Sequence, residues 1–264
     1  MTKKIIHFAH ANGFPARTYS KLFSLLEPEF AIGYIERHAH HPEFPVTDGW
    51  GRLRDELLNE IETRYTRPVV GVGHSLGGIL HFLVAVERPE LYERIILLDA
   101  PIISRLSSNA LWLFKTLKLI DRFSPSQTTR FRRRSWRDRS EALEHFRGKE
   151  KFAAFDEDVL RDYIKYGLIE GEAGLELFFT PRIEAKIYRT LPDHLPGFRG
   201  KLDVPANYVG GSRSKEAQLA RTGFMKKHFP FDFHTIEGSH LFPFEKPVET
   251  AEMIRTIINI ASQK

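Results

Sequence analysis

The chain has 264 residues, enough for one large or two small domains with a buried core, and its 42% hydrophobic and 28% charged residues are ordinary for a soluble globular protein. Its formal charge of +5 points only weakly to an anionic partner, and the absence of cysteine excludes disulfides, thiol nucleophiles and cysteine-ligated metals. No apolar run approaches the roughly 20 residues of a membrane span, and the opening MTKKIIHFAHANG has a short apolar core without a signal-cleavage pattern, so a cytoplasmic protein is expected.

In chain order, KKIIHFAH is a short apolar run with β-branched and aromatic residues, stopped by ANGFP, and reads as a buried strand. FAIGYIERH reads as a second. From Thr47, TDGWGRLRDELLNEIETRY places Trp50, Leu53, Leu57, Leu58, Ile61 and Tyr65 at helical spacing, with Thr47 or Asp48 as the cap. PVVGVG is apolar throughout, as a parallel strand covered on both faces should be. LGGILHFLVAVERPE follows as a buried helix ending near Pro89, and RIILLDAP as a fourth strand. From Ile102 to Arg199 the spacing is helical and no strand stands out. Alternation resumes with VPANYVGG (strand), SKEAQLARTGFMKKHF (helix), FDFHTIEG (strand) and PVETAEMIRTIINIAS (helix). Strands alternating with helices predict an α/β fold with a mostly parallel, doubly wound sheet. Residues 1–101 and 200–264 then form the core, and 102–199 a helical insertion between its two parts.

One stretch carries chemistry. In GVGHSLGG, residues 71–78, four glycines surround Ser75, which lies between a predicted strand and a predicted helix within the pattern G-x-S-x-G. Small residues are needed on such a sharp turn because strand and helix nearly touch, and the turn lifts the hydroxyl above the sheet. The helix N-terminus points backbone N–H groups at the same place, where they can stabilise an oxyanion. The glycine patterns that cradle phosphates are absent.

A serine hydroxyl needs a base. Among the histidines, His240 in IEGSHLFPFEKP lies between the last predicted strand and the last helix, at the sheet edge that also carries Ser75. His10, His38, His40 and His41 also follow strands, but HAHH lacks the carboxylates of a metal site, so no metal and no cofactor are expected. The run RFRRRSWRDR reads either as a solvated helix face, partly neutralised by Asp138, Glu141 and Glu144, or as a cationic rim that draws in acidic substrates. No nucleic-acid-reading motif accompanies it.

GHSLGG, FAHANGFP and GSHLFPFEKPVETAEMI, in this order and spacing, resemble motifs of the α/β-hydrolase family over nearly the whole chain. The resemblance implies a serine hydrolase with a helical cap, here 102–199. It also implies that an N–H after the first strand, at Asn12 or a close neighbour, joins that of Leu76 in an oxyanion hole. Ala11 stands where the family usually has glycine, His10 resembles a histidine that shapes this loop, and the sequence starts at the strand that an antiparallel pair usually precedes, so a shorter sheet is expected. The family most often places its acid after the penultimate strand, but NYVGGSRSKEA has none before Glu216. Some members carry it one strand after the nucleophile helix, where this chain has Asp99. The resemblance thus implies Ser75, His240 and Asp99 as the catalytic set, with Glu216 or no acid as alternatives.

The expected substrate is a small-molecule ester or related acyl compound, with an anionic group if the arginines form a rim. Carbon–carbon bond hydrolysis, thioester cleavage and acyl transfer are open on the same core, as is a ligand-binding receptor that performs no chemistry. Trp112, Phe114, Phe123, Phe178 and Phe179 are candidates for an apolar pocket or for core.

Overall fold

The computed structural model describes residues 3–172, 174–220 and 222–260. Six strands form the central sheet: β1 (Lys4–Ala9), β2 (Phe30–Tyr34), β3 (Val69–His74), β4 (Tyr92–Leu98), β8 (Ala206–Gly211) and β9 (Phe231–Ile236). Their order is β2-β1-β3-β4-β8-β9, and every pairing is parallel. The winding direction reverses between β1 and β3, so the loops leaving these two strands diverge and open a crevice at the carboxyl edge of the sheet.

The predicted helix after β2 begins later than its sequence suggests. Asp48–Trp50 form a single tight turn, and α2 (Gly51–Arg64) starts from Trp50, whose φ of 63° is left-handed. The Thr47 hydroxyl oxygen, ahead of that turn, accepts the Arg52 N–H in the first turn of α2 at 3.3 Å, while Asp48 makes no capping bond; the Trp50 indole N–H donates to the Ile187 carbonyl at 3.1 Å, a long-range contact that local spacing does not announce. Leu53, Leu57 and Ile61 face inward at four-residue spacing, as expected.

Helix α3 (Leu76–Glu87) is apolar almost all round and buried along most of its length. It approaches β1 and β3 closely because of two glycines. A Cβ on Gly73 would lie 2.3 Å from the Gly77 carbonyl carbon, and one on Gly77 would lie 2.0 Å from the Ala9 carbonyl oxygen. The start of α3 therefore rests against the end of β1, which brings the loop leaving β1 next to Ser75.

The stretch between β4 and β8 contains α4 (Arg105–Thr116), α5 (Ile120–Phe123), α6 (Ser126–Arg130), α7 (Arg139–Arg147), α8 (Glu157–Tyr166) and α9 (Pro181–Arg189). It also contains three strands that helical spacing concealed: β5 (Ser135–Trp136), β6 (Leu168–Gly171) and β7 (Gly174–Leu177), which pair antiparallel in the order β5-β7-β6. Strands of two to four residues are too short to develop a legible alternation. They split the arginine run between the end of α6, a turn, β5 and the cap of α7, so it is no single helix face. Asp138 caps α7 through the Glu141 N–H.

After β8, the single predicted helix is divided into α10 (Lys215–Ala220) and α11 (Gly223–His228), with Arg221 outside the described residues. Gly223 is a poor helix-interior residue, in keeping with a break there. Helices α1 (Ser20–Leu26), α12 (Phe242–Glu245) and α13 (Pro247–Ile260) complete the chain, and the predicted extension of α13 to Ala261 and Ser262 lies outside the described residues. No helix among the described residues is long and apolar enough to cross a membrane.

Candidate active site

Ser75 directly follows β3 and precedes α3, with φ 52° and ψ −113°. This left-handed conformation is costly for a residue with a Cβ. It is held by the Ser75 N–H, which donates to the Leu98 carbonyl on β4 at 2.9 Å. His240 leaves the loop after β9, and its Nε2 lies 3.0 Å from Ser75 Oγ. Its Nδ1 lies 2.6 Å from Asp99 Oδ2. The structure thus brings together Ser75, His240 and Asp99 from three loops at one sheet edge.

Asp99 is wholly buried at the end of β4, also at positive φ, 45°. Burial pushes its carboxyl pKa up, but hydrogen bonds to the charged form prevail and hold it below its usual value. The donors are His240, Ser214 Oγ and, at 3.0 Å, the Gly211 N–H; Tyr208 OH adds a 3.4 Å contact. Ser214 and Gly211 occupy the segment where the usual carboxylate is missing, and here they supply donors to an acid on the neighbouring strand. Glu216 on α10 is exposed, yet its carboxylate comes within 4.8 Å of the ligand atoms of Asp99 and His240. The bond to Nδ1 is nevertheless made by Asp99.

The site has a second layer that the sequence did not disclose. The Ala11 N–H donates to Tyr19 OH at 3.2 Å, Tyr19 OH bonds His74 Nδ1 at 2.7 Å, and His74 Nε2 bonds the His240 carbonyl at 2.9 Å. Burial, followed by the proximity of His240, lowers the His74 pKa to about 3, so its ring is neutral. A neutral ring carries one proton, and a carbonyl can only accept. Nε2–H therefore donates to His240, and Nδ1 accepts from Tyr19. Adjacency to Ser75 was the one sequence signal for His74; nothing local marked Tyr19.

The loop after β1 is fixed from several sides. His10 bonds the Ala11 carbonyl through Nδ1 at 2.8 Å and accepts the His38 N–H at Nε2, also at 2.8 Å. This is the shaping role its resemblance implied. Asn12 Nδ2 donates to the Glu184 carbonyl at 3.1 Å, and the Ala11 N–H is occupied by Tyr19. The backbone amides of Asn12 and Leu76, like those of their neighbours Gly13 and Gly77, have no protein acceptor among the described residues. The HAHH rings are each engaged locally: His38 with Glu56, His40 with the His38 carbonyl and the Thr180 N–H, and His41 with the Glu43 N–H.

Facing this loop is a charged group from the insertion. The Glu184 carboxylate lies over Gly13, where a Cβ would come within 2.6 Å of its Oε1, and Arg132 Nη2 lies 2.6 Å from its Oε2. Burial raises the Glu184 pKa. Lys151 is exposed, with its ammonium 4.9 Å from the Phe14 ring centroid. Of the arginine run, Arg132 alone pairs with this group; Arg133 pairs with Glu141, and Arg137 with Asp138. The aromatic candidates do not form one pocket. Phe179 is buried against His10 and His40, whereas Trp112 and Phe123 are exposed.

A parallel, doubly wound sheet bearing a serine on a strained strand-to-helix turn defines an α/β protein of the hydrolase type. The chain belongs to the alpha/beta hydrolase family, whose model matches residues 8–253. Among solved structures it is similar to E-2-(acetamidomethylene)succinate hydrolase, with TM-score 0.75 and 20% identity over 98% of this chain and 92% of that one. It is also similar to a thioesterase domain from the curacin biosynthetic pathway, with TM-score 0.67 and 14% identity over 96% and 90%. A third is the peroxisomal alpha-beta-hydrolase Lpx1 from Saccharomyces cerevisiae, with TM-score 0.70 and 18% identity over 97% and 76%. No curated protein matches the chain.

Proposed function

We propose that the protein is a serine hydrolase that cleaves an ester or related acyl bond of a small molecule through an acyl-enzyme. The observation that carries this reading is the unbroken line from Ser75 Oγ to His240 Nε2, 3.0 Å, and from His240 Nδ1 to Asp99 Oδ2, 2.6 Å. Ser75 Oγ attacks the acyl carbon as His240 takes its proton, and the imidazolium returns that proton to the leaving group. A water activated by the same imidazole then releases the acid. Asp99 keeps Nδ1 protonated and Nε2 free to accept, and the Asn12 and Leu76 amides hold the oxyanion.

A fluorophosphonate tests the chemistry directly. The wild-type protein should be labelled on Ser75, and Ser75→Ala should not be labelled. An unlabelled wild-type protein would favour a receptor on the same fold.

Residues 102–199 act as a cap in this reading, and the Arg132–Lys151–Glu184 group supports a substrate that bears a carboxylate. Among the described residues no carboxylate is bonded to Lys151, which makes it the simplest group to examine. Lys151→Gln should lower kcat/KM for a carboxylated ester by about tenfold, the worth of one charge-assisted hydrogen bond, and leave a neutral ester of the same size nearly unchanged. Equal losses on both esters would mean altered packing of the cap rather than charge recognition.

A further inference from the structure

Helix α4 is attached to the rest of the molecule by its polar side. Ser108 Oγ donates to the Asp193 carbonyl, and Lys115 Nζ reaches Asp48 at 2.6 Å, Asp193 at 2.7 Å and the Leu191 carbonyl at 3.0 Å. Its apolar side faces out. Leu106, Leu113 and Leu117 recur at spacings of seven and four along one face, Trp112 lies about 100° round the helix from Leu113, and all four are between 45% and 83% exposed. Phe123 and Phe131 extend the exposed apolar surface along the chain. Helices on globular proteins ordinarily turn this stripe inward, so an outward stripe of this size marks a contact surface.

The charge around the stripe distinguishes the partner. Between residues 102 and 137 there are nine Lys and Arg and a single acid, Asp121, which is paired with Arg189. Arg105, Lys118, Arg122 and Arg134 form no ion pair among the described residues. A two-fold dimer through this face would bring like charges together. An anionic lipid surface instead meets both features, with the leucines and the indole entering the headgroup–acyl boundary and the cations lying among the headgroups.

We propose that the α4 surface docks the protein reversibly onto anionic membranes. The protein supplies its own reporter, because Trp50 and Trp136 are buried and Trp112 is the exposed tryptophan. Equimolar phosphatidylcholine–phosphatidylglycerol vesicles should shift the indole emission to the blue and co-sediment the full chain. Pure phosphatidylcholine should bind at least tenfold more weakly, and added salt should weaken the anionic binding. Trp112→Ser and Leu106→Ser/Leu113→Ser, changes at exposed positions, should each lower vesicle binding about tenfold and leave fluorophosphonate labelling of Ser75 unchanged. That second readout keeps failure of docking distinct from failure of the hydrolase reading. The proposal is overturned if anionic vesicles neither shift the emission nor sediment the protein. It is equally overturned if the wild-type chain forms a dimer that Leu106→Ser/Leu113→Ser dissociates, which would make a second copy the occupant.

Discussion

Ser75→Ala should reduce acyl hydrolysis by about 10⁴- to 10⁶-fold while the thermal midpoint moves by no more than a few degrees. The substitution removes only Oγ, whose partner in the structure is the His240 ring. The main-chain bond from Ser75 to Leu98 is untouched, and alanine meets the same strain at φ 52° that serine does. His240→Ala should lose turnover to a similar degree while keeping the main-chain carbonyl that receives the His74 proton. Combining the two should cost little more than either alone, since nucleophile and base act as one unit. Independent, multiplying losses in the double variant would show that Ser75 and His240 serve different steps.

Asp99→Asn should lower kcat by up to about 10⁴-fold with the fold retained. An amide NH₂ donating to Nδ1 favours the tautomer with its proton on Nε2, and that nitrogen can then no longer accept from Ser75. The Gly211 N–H can still donate to the amide oxygen at the Oδ1 place, whereas Ser214 Oγ, which faces Oδ2, must turn to accept from the NH₂, so the buried position keeps part of its hydrogen bonding. Glu216→Gln should change kcat only a few-fold: its carboxylate is nearby but exposed, and Nδ1 is already engaged by Asp99. A deep loss in Glu216→Gln with a fully active Asp99→Asn would transfer the acid role to Glu216. Both variants are read by steady-state kinetics on one ester, with circular dichroism to check the fold.

The α/β alternation and Ser75 were legible because both are local: a buried parallel strand is continuously apolar, and the strand–turn–helix serine needs glycine at fixed offsets. His240 followed from where its loop must lie on such a sheet. Asp99 was visible only as a strand-end residue beside a family pattern, because its buried carboxylate is held by Gly211 and Ser214, at and just after the end of a strand more than a hundred residues later. Tyr19, Glu184 and the αL start of α2 at Trp50 were illegible for the same reason. Each is set by a partner distant in sequence, His74, Gly13 and Ile187 respectively. The arginine run misled because cationic side chains suit a helix surface and a short edge strand equally well.

The chain of hydrogen bonds from Ala11 through Tyr19 and His74 to the His240 carbonyl has a mechanical consequence. It runs from the loop that carries the Asn12 amide to the loop that carries the imidazole, and its central ring belongs to the residue preceding Ser75. Neither loop can shift far without breaking a buried bond, so the alignment of attack geometry is completed when the polypeptide folds rather than when a ligand arrives. The sheet edge then behaves as a stationary jaw. In the proposed hydrolase, adjustment to differently shaped substrates would fall to the opposite jaw, where Arg132, Lys151 and Glu184 are carried on segments outside the six strands of the central sheet.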